Sequence, residues 1–206
     1  MSRSGRQPAS LPLDYQLRLA VAADQPALEG LIARAAHALS VGDYSTAQID
    51  GALQGSFGVD SQLVRDGTYF VVEAAGEIVA CGGWSRRHTL FGGDARANRS
   101  AALLDPKCDS ARIRAFFVAP EHARRGVGTL LLRHCEAVAR AEGFTSLALV
   151  ATLPGMRLYA RHGFLQTGTL EHCLAEGLTI TFVPMSKSLA ESDPPPDSAQ
   201  EVGRDA

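Results

Sequence analysis

The run from Arg112 to Thr129, Arg-Ile-Arg-Ala-Phe-Phe-Val-Ala-Pro-Glu-His-Ala-Arg-Arg-Gly-Val-Gly-Thr, constrains the fold of this chain more than any other. Arg112 to Val118 reads as a strand, and Pro120 stops it. Two glycines follow, and a helical pattern begins at once and runs from Gly126 to Glu142. Val127, Leu131, Cys135 and Val138 fall on one face of that helix, with Arg133, Glu136 and Arg140 on the other. A helix start carries N–H groups without an intrahelical partner and a partial positive charge. Glycine allows such a backbone to approach a phosphate closely. Arg124 and Arg125 add charged donors beside it. The junction therefore suits a pyrophosphate. A dinucleotide fingerprint would need a third glycine where Leu131 stands, and the Gly-Lys-Ser/Thr of a Walker loop is absent.

The flanking pattern alternates strands and helices without a regular βαβ repeat. Gln16 to Ala20 is a strand candidate. Asp24 then caps a helix reaching Leu39, with Pro26 in its first turn. A second helix covers Thr46 to Gln54. Tyr69–Ala74 and Glu77–Trp84 form a hairpin through Ala75-Gly76. Ser146 to Ala151 is a strand of the buried type. Pro154 to His162 is a helix stopped by Gly163. Phe164–Leu170 and Thr179–Lys187 are closing strands. Residues 1–15 and 190–206 read as flexible tails around a domain spanning 16–189, the second tail containing Asp193-Pro194-Pro195-Pro196-Asp197.

Composition narrows the ligand class. A net charge of −2 over 206 residues gives no reason to expect nucleic acid or a membrane as partner. The stretch from Arg86 to Arg125 nevertheless holds nine basic residues against four acidic ones, a local excess that fits an anionic ligand. Cys81, Cys108, Cys135 and Cys173 show neither metal-ligand spacing nor a disulfide framework, so reduced thiols, a cytoplasmic setting and no metal are expected. The N-terminus lacks the apolar core of a signal peptide.

Two motifs give the pyrophosphate junction a family context. Val118-x-Pro120 followed by Arg124-Arg125-Gly126-Val127-Gly128 resembles the Q/R-x-x-G-x-G/A signature of the GNAT superfamily of acyl-CoA-dependent N-acetyltransferases. Tyr159-x-x-x-Gly163-Phe164 is similar to that family's Y-x-x-x-G-F. Two positions depart from the pattern: Ala123 stands at the Q/R position, and Thr152 where an Asn is frequent. The resemblance implies an α/β (α+β) fold with a mixed, mostly antiparallel central sheet flanked by helices and splayed between its fourth and fifth strands. It implies acetyl-CoA as acyl donor. Backbone groups of Phe116, Phe117 and Val118 would hold the pantetheine arm, and those of Arg124, Arg125, Gly126, Val127, Gly128 and Thr129 the pyrophosphate. Tyr159 would protonate the leaving thiolate.

The acceptor is read as a primary amine, with a small molecule favoured over a peptide. Arg86 and Arg87 are candidates for recognising an acceptor carboxylate. Asp43-Tyr44 is a candidate for binding the amine or closing the pocket. Among possible bases, Glu121 and His122 flank the glycine turn, His134 reads as a core histidine, and His162 as a surface one. Trp84 reads as core. A non-catalytic acyl-CoA-binding module is the alternative function, since it would keep the glycine turn without needing Tyr159. Members of this family often pair, which leaves a homodimer open.

Overall fold

The computed structural model describes residues 14–96 and 100–189. The expectations for residues 1–13 and 190–206 fall outside these. Of the N-terminal stretch, Tyr15 is held by its hydroxyl, 3.1 Å from His122 Nδ1.

Eight strands form one sheet in the order β1-β2-β3-β4-β5-β8-β6, with β7 also on β8. The strands are β1 (Gln16–Leu19), β2 (Tyr69–Ala74), β3 (Glu77–Ser85), β4 (Ala111–Val118), β5 (Ser146–Thr152), β6 (Leu165–Gln166), β7 (Leu170–Cys173) and β8 (Thr179–Ser188). The helices are α1 (Gln25–Leu39), α2 (Thr46–Leu53), α3 (Ser61–Arg65), α4 (Val127–Ala141) and α5 (Met156–Arg161). All pairings are antiparallel except β4 with β5. The β2–β3 hairpin turns on Ala75 and Gly76, at φ 52° and 82°, the left-handed pair that a two-residue hairpin prefers.

Helices α1 and α4 both pack on β3 and β4. Strand β3 is buried at every position from Val79 to Ser85, the pattern of a strand covered on both faces. Helix α4 contributes Val127, Leu131, Leu132, Cys135 and Ala139 to the core. Trp84 lies in the core with its ring edge-on to Phe144.

Two local expectations are corrected and two features are added. Asp24 does not cap α1. Its carboxylate accepts two bonds from Arg18, at 2.7 and 2.9 Å, and one from the Val21 N–H. A charge-assisted pair outcompetes a neutral cap for the same oxygens. Glu136, opposite the apolar face of α4, holds Lys187 of β8 at 2.8 Å. The expected strand Phe164–Leu170 divides at Gly168 into β6 and β7, both on the same edge of β8. Helix α3 has no counterpart in the pattern reading. It is too short for periodicity, and Asp60 starts it by accepting the Gln62 N–H.

The segment after β3 is partly folded. Arg87 bridges Leu103, His88 N–H bonds to Ala102 O, and Leu104 N–H to Arg86 O. It is latched to the α2–α3 connection by Gly93 N–H to Gly55 O, Asp94 N–H to Val59 O, and the Asp94 carboxylate on Ser61. Beneath this latch lies an ion pair. Arg114 of β4 meets Asp60 at 2.8 Å, with both side chains almost wholly buried, and donates to Gly92 O at 2.6 Å.

Removing one partner of such a pair leaves a buried charge uncompensated. Asp60→Asn, which retains a cap for α3, is expected to lower unfolding free energy by roughly 3–5 kcal/mol in a denaturant titration. A second expectation concerns pH. Burial lowers the pKa of His134, whose ring meets Phe70 edge-on, and of His172. The unfolded chain therefore binds protons first, and stability should fall as pH drops from about 7 to about 5. A melting temperature that rises over that interval would contradict this.

Candidate functional site

Strands β4 and β5 begin side by side and then part. Their register holds only at Ala111 with Leu147 and Arg112 with Ala148. Beyond these, β5 continues along β8 to Thr152, while β4 stays with β3. The opening between them is a cleft of about 630 Å³. Phe116, Phe117 and Val118 form its β4 wall, and Val150, Ala151 and Thr152 its β5 wall.

A bulge shapes the β4 wall. Cys81 pairs with Phe117 and Gly83 with Arg114, so Ala115 and Phe116 together oppose Gly82. Ala115 takes φ 54°. Gly82 is required here, because a Cβ would lie 2.6 Å from the Phe116 ring. After the bulge, the Ala119 N–H bonds to Val79 O on β3. Alternation then turns the backbone polar groups of Val118 to the opposite side, over the opening.

At the mouth of the cleft the chain enters α4 through Arg124 and Gly126, both left-handed, at φ 63° and 88°. The first helical bond is Leu130 N–H to Gly126 O at 2.9 Å. The N–H groups of Arg124 through Thr129 find no acceptor among the described residues. A row of free amides at a helix start, bent by left-handed residues, is an anion-binding nest. Ala123, Arg124, Gly126, Gly128 and Thr129 line the cleft, whereas Arg125 is exposed beside it and the Val127 side chain is in the core. A Cβ on Gly128 would sit 3.2 Å from Leu158, so this glycine lets α5 close on the start of α4.

Helix α5 supplies a further wall. Tyr159 packs edge-on to Phe116 and Phe164, at centroid distances of 6.3 and 5.7 Å. Its ring is buried, yet the residue lines the cleft and its hydroxyl has no partner among the described residues. Desolvation pushes the phenol pKa well above its usual range, so the group stays protonated and available as a donor. Arg157 and Arg161, one turn apart on α5, also line the cleft and, like Arg124, make no ion pair among the described residues. The pattern reading missed both. Their i, i+4 spacing across Tyr159 was the available signal.

Other candidates lie elsewhere. Arg86 pairs with Glu142 at 3.3 Å, and Arg87 with Asp66 at 2.6 Å; neither lines the cleft. Tyr44 is a strut: its hydroxyl donates to Thr181 O at 2.6 Å and accepts the Leu153 N–H at 2.8 Å. Burial raises its pKa to about 12. Asp43, beside it, does line the cleft. His122 is engaged by Tyr15, and His134 and His162 are outside the lining. The Thr152 hydroxyl accepts the Gly155 N–H, which shapes the turn before α5. Among the described residues no group of three metal-type side chains comes together, and no helix is long and apolar enough to cross a membrane.

A family profile, the acetyltransferase (GNAT) family, matches residues 42–164, more than half of the chain, including the glycine turn and α5. The chain belongs to the GNAT acetyltransferase family. Solved structures share its fold. A GCN5-related N-acetyltransferase from Rhodopseudomonas palustris aligns with TM-score 0.64 at 19% identity, over 88% of this chain and 100% of that one. The PaiA N-acetyltransferase of Thermoplasma acidophilum, in complex with coenzyme A, aligns with TM-score 0.58 at 11% identity, over 85% and 99%. The yncA acetyltransferase of Salmonella typhimurium, with its cofactor acetyl-CoA, aligns with TM-score 0.56 at 18% identity, over 90% and 99%. No curated protein matches the sequence significantly.

The GNAT mouth can be tested with a bare anion. In an amide NMR titration with sodium pyrophosphate at low ionic strength, resonances of Arg124 to Thr129 should move first. Gly126→Ala, strained by about 1–2 kcal/mol at its left-handed φ, should weaken that response. Shifts centred on Arg86 and Arg87 instead would refute the assignment.

Proposed function

We propose that this GNAT protein transfers an acetyl group from acetyl-CoA to a primary amine of a small molecule by direct attack. The observation that supports this most is the row of unpartnered amides from Arg124 to Thr129 at one end of a cleft that also holds the unpartnered Tyr159 hydroxyl. The residues fit the donor. The nest and Arg124 suit the pyrophosphate, and Arg157 and Arg161 supply free guanidinium groups for a further phosphate. The backbone of Phe116, Phe117 and Val118, left without a neighbouring strand on the β5 side, suits the amide-bearing arm. The loss of a side-chain contact at Ala123 leaves the backbone donors intact.

The chemistry asks little more of the protein. An amine of this kind is mostly protonated at neutral pH, with an ordinary pKa near ~10.4, so a proton must leave to solvent before attack. The nitrogen–carbon bond then forms as the carbon–sulfur bond breaks. Tyr159 gives its phenol proton to the departing sulfur and recovers one from the new amide nitrogen through water. Burial keeps the phenol in its protonated form, so a hydrogen-bond donor stands at the sulfur's place across the working range.

Acetyl-CoA titrated calorimetrically should bind one to one. Tyr159→Phe should leave that affinity unchanged while lowering kcat by about 10²-fold or more, read as release of free thiol. A Tyr159→Phe variant with full turnover would remove the tyrosine from the mechanism. Binding without turnover by the native protein on any amine would favour the acyl-CoA-binding module.

A further inference from the structure

The end of the cleft remote from the phosphate mouth has a composition of its own. The C-terminal part of α1 contributes Leu39 and Ser40, followed by Asp43. Tyr44, next to Asp43, donates to Thr181 O beside Phe182, one of four phenylalanines that also line the cleft and touch one another in turn. Phe117 meets Phe57 edge-on at 5.9 Å, Phe57 meets Phe182 at 6.0 Å, and Phe182 meets Phe91 at 5.6 Å. Phe91 comes from the folded segment after β3 and is pinned there. The Arg96 guanidinium lies 3.6 Å from its ring centroid, and Arg96 also donates to Phe91 O at 2.8 Å. The box adjoins the reacting end, because Phe117 follows Phe116, which packs on Tyr159.

Two arginines stand at this end, and both are engaged. Arg114 of the lining holds Asp60 and Gly92 O, and Arg96, outside the lining, lies on the Phe91 ring and donates to Phe91 O. Asp43 is the sole carboxylate among the described residues of the lining, and its side chain makes no hydrogen bond or ion pair among them. Arg124, Arg157 and Arg161 belong to the other end, where Leu158 of α5 meets Gly128. A carboxylate on the acceptor would thus face Asp43 with no free cation to receive it, a mismatch that selects against such molecules. An aromatic body would find rings to pack against, and an ammonium group would find Asp43.

We propose that the acceptor is a primary amine on an aromatic body, without a carboxylate beside the nitrogen, seated among Phe57, Phe91, Phe117 and Phe182 with its ammonium group met by Asp43. This rests on the acetyltransferase reading above. Asp43 recognises the charged amine on entry, and Phe91 sets specificity for the ring.

The test uses the full-length protein, saturating acetyl-CoA and three amines: 2-phenylethylamine, L-phenylalanine and ethanolamine. The expected result is a kcat/KM for 2-phenylethylamine at least ~10-fold above either of the others. Phe91→Leu and Asp43→Asn should each raise KM for 2-phenylethylamine several-fold without changing the calorimetric affinity for acetyl-CoA. The native panel decides even if a variant misfolds. Equal or better use of L-phenylalanine or ethanolamine, or no acetylation of 2-phenylethylamine by protein that binds acetyl-CoA, overturns the inference and leaves the cofactor assignment standing. Folded protein that fails to bind acetyl-CoA overturns both.

Discussion

Two register pairs join β4 to β5, and then the strands separate. Backbone polar groups along the inner edge of β4 lose the neighbour that a continuous sheet would provide. Buried groups of this kind need partners, and a ligand arm with amides of its own is one way to supply them. The bulge at Ala115, the close fit of Phe116 over Gly82 and the insertion of α5 beside the opening all follow from that separation. So does the burial of Tyr159, which brings an aromatic ring to a place where the sheet would otherwise have been continuous.

An open seam in a sheet must be held at a fixed width, and two buried polar devices do this. The Arg114–Asp60 pair ties β4 to the loop before α3 and, through Gly92, to the segment after β3. Tyr44 ties the chain after α1 to the end of β5 and to β8. Each joins parts of the chain far apart in sequence, and each stands beside the wall carrying Phe57 and Phe182. The walls that would choose the acceptor are thus the ones most firmly braced.

The glycine turn and the free helix start were legible in the sequence because they are local. Strand, glycine turn and helix start are consecutive from Arg112 to Thr129, and backbone donors need no particular side chain. Of the side chains on the opposite wall only Asp43 was singled out from the sequence, because Phe57, Phe91, Phe117 and Phe182 come from four separate elements or connections and meet only in the fold. Arg86 and Arg87 illustrate the failure. As an exposed-looking basic pair they suggested an anion site, yet partners distant in sequence, Glu142 and Asp66, already engage them. Helix α3 was hidden for a different reason. It is shorter than two turns, and its start is set by a buried aspartate whose second role is an ion pair.

The latch between Gly93 and the α2–α3 connection leads further. Gly58 and Gly93 approach so closely that a Cβ on Gly93 would lie 2.9 Å from Gly58 Cα. The anchor of the segment is therefore a backbone-on-backbone seat that tolerates no side chain at Gly93. Leu90 and Phe91, one residue further back, line the cleft and carry no such restriction. Mutational drift can rewrite the surface offered to an incoming molecule while the docking point stays intact. A segment built in this way behaves as an exchangeable cassette, and it marks residues 90 and 91 as the first positions to vary in redesigning what the enzyme accepts.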